Sequence, residues 1–150
     1  MDPFPHRYRV AVSAAPQSAV RLDFDGGAPI ASLPPAEFGG PGGRWSPETL
    51  LTAALGDCFA LSFEVIAEAS RCSWSTLHCD VEGTLDRVDR QMRFTRFVIR
   101  TQLTIAHDDL RRAQRCLDKA KDACLVSNSL NAEVELETEI VRDACDNAAG

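Results

Sequence analysis

The sequence predicts an α+β fold with a mostly antiparallel sheet and one long central helix in two layers. Two pairs of neighbouring segments alternate apolar and polar residues, as hairpin strands do. A long apolar segment between them carries helix-start signals. The predicted order is β-β, long loop, α, β-β, α, β. A chain of 150 residues with 45% hydrophobic residues fits one domain over residues 1–150.

The first hairpin is predicted from residues 8–15 and 18–24, which show partial alternation around Pro16-Gln17. Residues 25–45 then contain so many glycines and prolines that we expect no regular element to run through them. They predict a long loop, and loops of this length in compact domains are often functional.

The central helix has a clear predicted start. Ser46 can cap free backbone N–H groups, Pro47 suits the first helical position, and Glu48 lies at the positive end of the helix dipole. The helix is expected to run to about Ser70, with apolar residues in nearly every direction around its axis. Such a helix requires burial on most sides and hence a second neighbour besides its sheet, which dimerisation would supply.

The C-terminal half predicts a second hairpin from residues 75–87 and 93–105, an amphipathic helix over 107–124 and a final strand over 132–141. The tail beyond Arg142 is expected to fray. In the amphipathic helix Asp108 or Asp109 lies near the start. Its predicted buried face consists of Leu110, Ala113, Cys116 or Leu117, and Ala120.

Composition and sequence pattern argue against several classes of function. A net charge of −6 disfavours nucleic acid and anionic membrane surfaces as partners. No uninterrupted apolar run of about 18 residues and no signal-peptide pattern is present, so we expect a cytoplasmic protein. The cysteines are too scattered for a secreted disulfide scaffold and are expected to be thiols; they lie at positions 58, 72, 79, 116, 124 and 145.

Cys58 is the candidate reactive residue, although a lone cysteine on an apolar helix is usually a packing residue. Asp57 precedes it, a long loop leads into its helix, and Cys124 lies at another break in helical pattern, "DACLVSNSL". A thiol reacts as the thiolate, and burial raises its pKa, so a cation is required. The start of the helix, roughly 18 Å away, is too distant to supply that charge.

An arginine is the obvious cation, and Glu48 could hold its guanidinium through a bidentate pair. Along one straight helix, however, Glu48 and Cys58 are about 15 Å apart. They can share an arginine only if chain folding or a second subunit brings them together.

These motifs resemble the OsmC/Ohr family of organic hydroperoxide reductases. The resemblance rests on "SPETLLTAALGDCF", on "KAKDACLVSNSLNAEVELE" and on "EFGGPGG", in the expected order. It covers nearly the whole chain and implies an OsmC-like fold in an intertwined homodimer, with two long helices packed between sheets and sites at the interface.

The resemblance also implies a chemistry. Cys58 matches the peroxidatic cysteine, Cys124 the resolving cysteine, and Glu48 the carboxylate that orients an arginine. An organic hydroperoxide would oxidise Cys58 to a sulfenic acid, which condenses with Cys124 to a disulfide. An external dithiol or lipoyl-type thiol reductant would then restore the thiols, with no bound cofactor and no metal.

The arginine departs from the family pattern, because the two positions where members carry it fall on Gln17 and near Glu37 or Phe38. Arg21 and Arg44 are the nearest substitutes. We favour Arg44, which adjoins the helix start. The chain also has Leu125 where the family often has proline, so it belongs to a divergent branch in which peroxidase activity is expected to be weak or differently directed.

Two alternatives stay open. The first is a non-catalytic dimer of the same fold that binds a small apolar or acyl ligand; an arginine beside Cys58 would favour catalysis over it. The second, much weaker, is a metal module, since Cys72, His78 and Cys79 match no closed-site spacing. Cys72, Cys79 and Cys116 are predicted to be packing residues. The apolar walls of the predicted catalytic site are Phe38, Trp45, Phe59 and Phe63.

Overall fold

A computed structural model describes residues 1–107 and 109–144 of the chain. Two compact units are formed, Met1–Leu51 and Thr52–Gly150. This division does not distinguish one domain from two, so the single domain over residues 1–150 stays a prediction. Asp108 and most of the tail predicted to fray, from residue 145 onward, lie outside the described residues.

The first unit contains a three-stranded antiparallel sheet in the order β1-β2-β3. Its strands are β1 (Ala11–Ser13), β2 (Val20–Asp23) and β3 (Ile30–Ser32). The predicted hairpin is therefore confirmed, although both strands are shorter than the alternating segments. Gln17 has a φ of 58° in the connection between β1 and β2, a left-handed conformation that reverses the chain.

The segment predicted as a featureless loop contains two regular elements, so that prediction is wrong. β3 pairs with β2, and a single 3₁₀ turn covers Ala36–Phe38. The physical reason is that the glycines and prolines before and after β3 are clustered. Gly26, with a φ of 85°, turns the chain ahead of β3, and Pro34-Pro35 follows it. The residues between these clusters keep their N–H groups and can pair.

The long helix α1 (Pro47–Ala69) begins where the sequence predicts. The backbone N–H of Thr49 donates to the Ser46 hydroxyl at 3.2 Å, and the N–H of Ser46 donates to the Thr49 hydroxyl at 2.8 Å. This reciprocal pair satisfies two backbone donors at the helix start, as a capping box does. Ser46 is only 1% exposed.

Helix α1 buries one stripe in the chain described, rather than most of its surface. Leu55, Phe59, Phe63 and Ala67 recur at every fourth residue and are fully buried. On another side, Leu61 is 54% and Val65 68% exposed. The predicted burial on most sides depends on a second subunit, so it stays a prediction; in the single chain this side of the helix is open.

By length and composition, α1 is also apolar enough to cross a membrane, with a mean hydropathy of 1.7. One such helix is weak evidence for a membrane span, because the core helix of a soluble protein meets the same criteria. Asp57 and Glu64 interrupt its apolar run. The expectation of no membrane partner stays a prediction.

The second unit contains a separate three-stranded sheet in the order β4-β5-β6. Its strands are β4 (Thr76–Val88), β5 (Gln91–Ile105) and β6 (Glu133–Arg142). β4 and β5 are antiparallel and form the second predicted hairpin, whereas β6 runs parallel to β5. Asp89 and Arg90, with φ values of 50° and 67°, make a two-residue turn between β4 and β5.

Two helices connect β5 to β6. In α2 (Leu110–Ala123) the Asp109 carboxylate accepts the N–H of Arg111 at 2.9 Å, so the helix starts at the second of the two predicted caps. Its buried residues are Ala113, Cys116, Leu117 and Ala120, while Leu110 at the first position is 45% exposed and not part of that face. The short α3 (Leu125–Asn128) follows within the predicted interruption.

Candidate active site

Cys58 lies in α1 beside the buried stripe and is itself half-buried. Its carbonyl accepts a hydrogen bond from the Ser62 hydroxyl at 2.7 Å. Two residues before it, Gly56 faces β4, where a Cβ atom would come within 2.9 Å of Val81 Cγ2. The glycine therefore lets the strand approach the helix closely next to the cysteine.

Cys124 comes from a later part of the second unit and lies near α1. It separates α2 from α3 with an extended backbone (φ −65°, ψ 110°) and is 0% exposed. Its thiol lies 4.0 Å from the carbonyl oxygen of Leu55, one turn before Cys58. The Cys58 side chain lies close enough to the Cys124 thiol to raise its pKa.

The pKa of the Cys124 thiol is raised, first by burial and further by its interaction with Cys58. The backbone N–H groups of Ser127 and Val126 act in the opposite direction and lower it. They make no regular capping hydrogen bond with the side chain of Cys124. Cys124 is therefore held as a neutral thiol at neutral pH, in contact with a more accessible one.

This geometry permits one kind of chemistry. Cys58 and Cys124 are both free thiols in the structure. A sulfenic acid formed on the accessible sulfur would have the buried thiol as its neighbour.

Glu48 and the candidate arginines belong to the first unit and the thiols to the second. Glu48, half-buried in the first turn of α1, lines a cleft of about 450 Å³. The other walls of this cleft are mostly apolar, and its lining includes Val12, Leu22 and Phe38. The structure thus describes Glu48 at an apolar cleft of the first unit, and the cysteine pair within the second unit.

The two candidate arginines differ in their partners. The Arg21 guanidinium donates two hydrogen bonds to the Asp23 carboxylate, at 2.7 and 2.8 Å. Arg44 is exposed and lines a second cleft, of about 730 Å³, together with Ile30 and Trp45. Within residues 1–107 and 109–144, Arg44 forms no hydrogen bond or ion pair.

Two of the predicted apolar walls are core residues instead. Phe59 and Phe63 are 0% exposed, and the Phe63 ring packs edge-on against Trp74 with centroids 5.3 Å apart. They cannot contact a ligand from these positions, so that part of the prediction is wrong. Phe38 is 47% exposed and lines the cleft of about 450 Å³, and Trp45 is 49% exposed and lines the cleft of about 730 Å³.

The remaining described cysteines fit the packing prediction. Cys72 and Cys116 are 6% and 1% exposed, and Cys79 is half-buried. Burial, with a further contribution from Asp80, raises the pKa of Cys79 from 9.0 to about 11, so its thiol is protonated at neutral pH. Among the residues that the structure describes, no group of three metal-ligating side chains occurs.

Sequence reasoning missed the backbone groups near the sulfurs. These are the carbonyl of Leu55 and the N–H groups of Val126 and Ser127. Backbone groups leave no residue-type signal. The only available sign was the break in helical pattern directly after Cys124, which places free N–H groups next to that side chain.

Residues 40–139 match the family described as OsmC-like protein. The sequence is 24% identical to Peroxiredoxin OsmC of Escherichia coli (strain K12) over 95 residues, which are 63% of this chain and 66% of that protein. The chain thus spans just under two thirds of that relative.

The fold is also shared with solved structures. An OsmC-like protein of unknown function from Vibrio cholerae aligns with a TM-score of 0.79 at 22% identity, over 91% of this chain and 100% of that one. An organic hydroperoxide resistance protein OsmC from Legionella pneumophila aligns with a TM-score of 0.69 at 21% identity, over 91% and 99%. The chain therefore belongs to the OsmC-like family, as its resemblance to OsmC/Ohr proteins predicted.

Proposed function

We propose that this protein is a thiol-dependent peroxidase that reduces organic hydroperoxides. Cys58 is the peroxidatic residue and Cys124 the resolving residue. The observation that carries the proposal is the proximity of the half-buried Cys58 thiol to the fully buried Cys124 thiol, whose pKa it raises. The family and the name of the E. coli relative support a peroxidase reaction.

The proposed reaction has two steps. The Cys58 thiolate attacks the O–O bond of the hydroperoxide, the alcohol leaves, and Cys58 becomes a sulfenic acid. The Cys124 sulfur then attacks the sulfenic sulfur, water leaves, and a Cys58–Cys124 disulfide forms. An external dithiol or other thiol reductant returns both residues to thiols through exchange.

We assign the stabilisation of negative charge on the Cys58 sulfur to Arg44, with Glu48 as its orienting carboxylate. Arg21 is the weaker candidate, because its guanidinium already forms a bidentate pair with Asp23. Bidentate pairing fixes both orientation and charge. The proposal requires Arg44 and Glu48 of the same chain or of a second copy to reach the thiols.

A homodimer is part of the proposal. Leu61 and Val65, exposed on one side of an otherwise core helix, supply an apolar surface for a second copy. Val65→Glu is expected to shift the protein towards monomer in sedimentation equilibrium. Glu64→Gln, at an exposed position next to it, serves as the matched control and should leave the mass unchanged.

The test of the proposed function is turnover of tert-butyl hydroperoxide and of hydrogen peroxide with dithiothreitol as reductant. We expect a higher kcat/KM for the organic peroxide and loss of turnover in Cys58→Ser. Cys79→Ser is the control, because Cys79 is protonated and is not in the pair. Equal rates for wild type and Cys58→Ser would refute the proposal.

The same assay separates the arginines. Arg44→Ala is expected to lower kcat/KM by about 100-fold, which corresponds to roughly 2.7 kcal/mol of lost transition-state stabilisation. Arg21→Ala should have an effect of less than about threefold. The reverse order would assign the activating charge to Arg21.

A second candidate function is binding of a small apolar or acyl ligand without catalysis. The cleft of about 450 Å³ beside Glu48 favours it, since its lining is mostly apolar. Titration with a fluorescent fatty acid distinguishes the two. Saturable binding that is lost in Phe38→Ser, in a protein with no peroxide turnover, would support the binding function.

A further inference from the structure

We propose that the reductant attacks the Cys58 sulfur of the oxidised pair, so that Cys124 is the departing thiol and Cys58 alone carries the mixed disulfide. The proposal rests on the proposed function, because the Cys58–Cys124 disulfide is the product of that reaction. The new element is the identity of the attacked sulfur. The backbone at the start of α3 is also assigned a role in the departure of Cys124.

Accessibility separates the two sulfurs. Thiol–disulfide exchange requires the attacking thiolate to approach one sulfur along the S–S axis, and the rate depends on access to that sulfur. Cys58 is half-buried, so part of its side chain is accessible. Cys124 is 0% exposed and its thiol lies against the Leu55 carbonyl. Attack on Cys124 would require separation of the α2–α3 junction from α1.

Departure of Cys124 as a thiolate places a negative charge in a buried position, which is unfavourable. The N–H groups of Val126 and Ser127 oppose this cost. In the reduced protein the interaction with Cys58 adds to the cost, but in the mixed disulfide Cys58 holds neither a proton nor a charge. Burial and the nearby Leu55 carbonyl oxygen then oppose the thiolate, and the two N–H groups offset part of this cost.

The exchange balances in two steps. A reductant thiolate bonds to the Cys58 sulfur, the S–S bond breaks, and Cys124 takes the electron pair and then a proton. A second reductant thiolate attacks the reductant's own sulfur in the mixed disulfide, and Cys58 leaves as a thiolate. One reductant disulfide is released, and two electrons have passed to the protein.

The test uses a disulfide formed with diamide, so that it does not depend on peroxidase activity. The oxidised protein is mixed with 2-mercaptoethanol, quenched in acid, alkylated with N-ethylmaleimide and mapped by peptide mass spectrometry. We expect the mercaptoethanol adduct on Cys58, with Cys124 alkylated, in about tenfold excess over the reverse arrangement. Equal adducts, or an excess on Cys124, would overturn the proposal.

A second measurement needs no disulfide. Two native variants are each reacted with 5,5′-dithiobis(2-nitrobenzoate). One is Cys124→Ser, which retains Cys58, and the other is Cys58→Ser, which retains Cys124. We expect the sulfur at position 58 to react at least about tenfold faster than that at 124. Comparable rates would contradict the inference even if peroxide turnover is normal. Absence of peroxide turnover with the expected rate difference would instead refute only the proposed function.

Discussion

We expect the second unit to lose stability at alkaline pH, because the half-buried thiol of Cys79 then loses its proton. Burial and Asp80 raise its pKa from 9.0 to about 11. The folded state therefore holds this proton to higher pH than the unfolded chain does. Its contribution to stability is fully present below pH 9 and is lost as the pH rises towards 11. Cys79→Ser removes the titrating group while nearly keeping its size.

The size of the effect follows from the shift. Each unit of pKa corresponds to about 1.36 kcal/mol, so the upper limit is about 2.7 kcal/mol. Cys79 is only half-buried, and solvent screening reduces the expected loss to roughly 1–2 kcal/mol. We expect the wild-type free energy of unfolding to fall by that much more than that of Cys79→Ser between pH 8.5 and 11.

The assay is urea unfolding in the presence of a phosphine reductant at several values in this pH range. Asp80→Asn is the matched second variant, because it removes the smaller cause of the shift and leaves burial in place. Its pH-dependent loss should fall between those of wild type and Cys79→Ser. Parallel pH profiles for wild type and Cys79→Ser would refute the reasoning.

Three further predictions concern the helix start, the sheet and the resolving thiol. Ser46→Ala removes the acceptor for the Thr49 N–H and should cost about 1 kcal/mol in thermal unfolding, with Ser13→Ala, in exposed β1, near zero. Gly83→Ala would place a Cβ atom 2.6 Å from a phenylalanine ring; it should cost about 1–3 kcal/mol, and an unchanged midpoint would contradict the close packing. Cys124→Ser should let a peroxide-generated sulfenic acid accumulate and react with dimedone, and dimedone labelling as weak as in wild type would argue against a resolving role.

The parts of the fold that could be predicted are those set by local chemistry. Ser46 and Pro47 mark the start of α1 because capping involves only adjacent residues. β3 could not be predicted in the same way. It is three residues long and exists because it pairs with β2 across a turn at Gly26. Such pairing depends on which neighbour is available, and periodicity does not show this.

The same distinction between local and long-range features applies to the candidate site. The two cysteines stand out because each interrupts a pattern: Cys58 lies beside Asp57 in an apolar helix, and Cys124 at a helix break. For Phe59 the sequence does not distinguish a core residue from a wall of the site, because a helix that is apolar on nearly all sides does not show which side meets its own sheet. The backbone N–H groups beside Cys124 carry no side-chain signal at all.

The most direct test of the account is to map the disulfide formed after one equivalent of tert-butyl hydroperoxide is added to the reduced protein. Non-reducing peptide mass spectrometry of wild type, with Cys79→Ser as control, should find the Cys58–Cys124 linkage in both within the first turnover. Absence of this linkage, or oxidation of other cysteines while Cys58 and Cys124 remain free thiols, would contradict the proposed reaction.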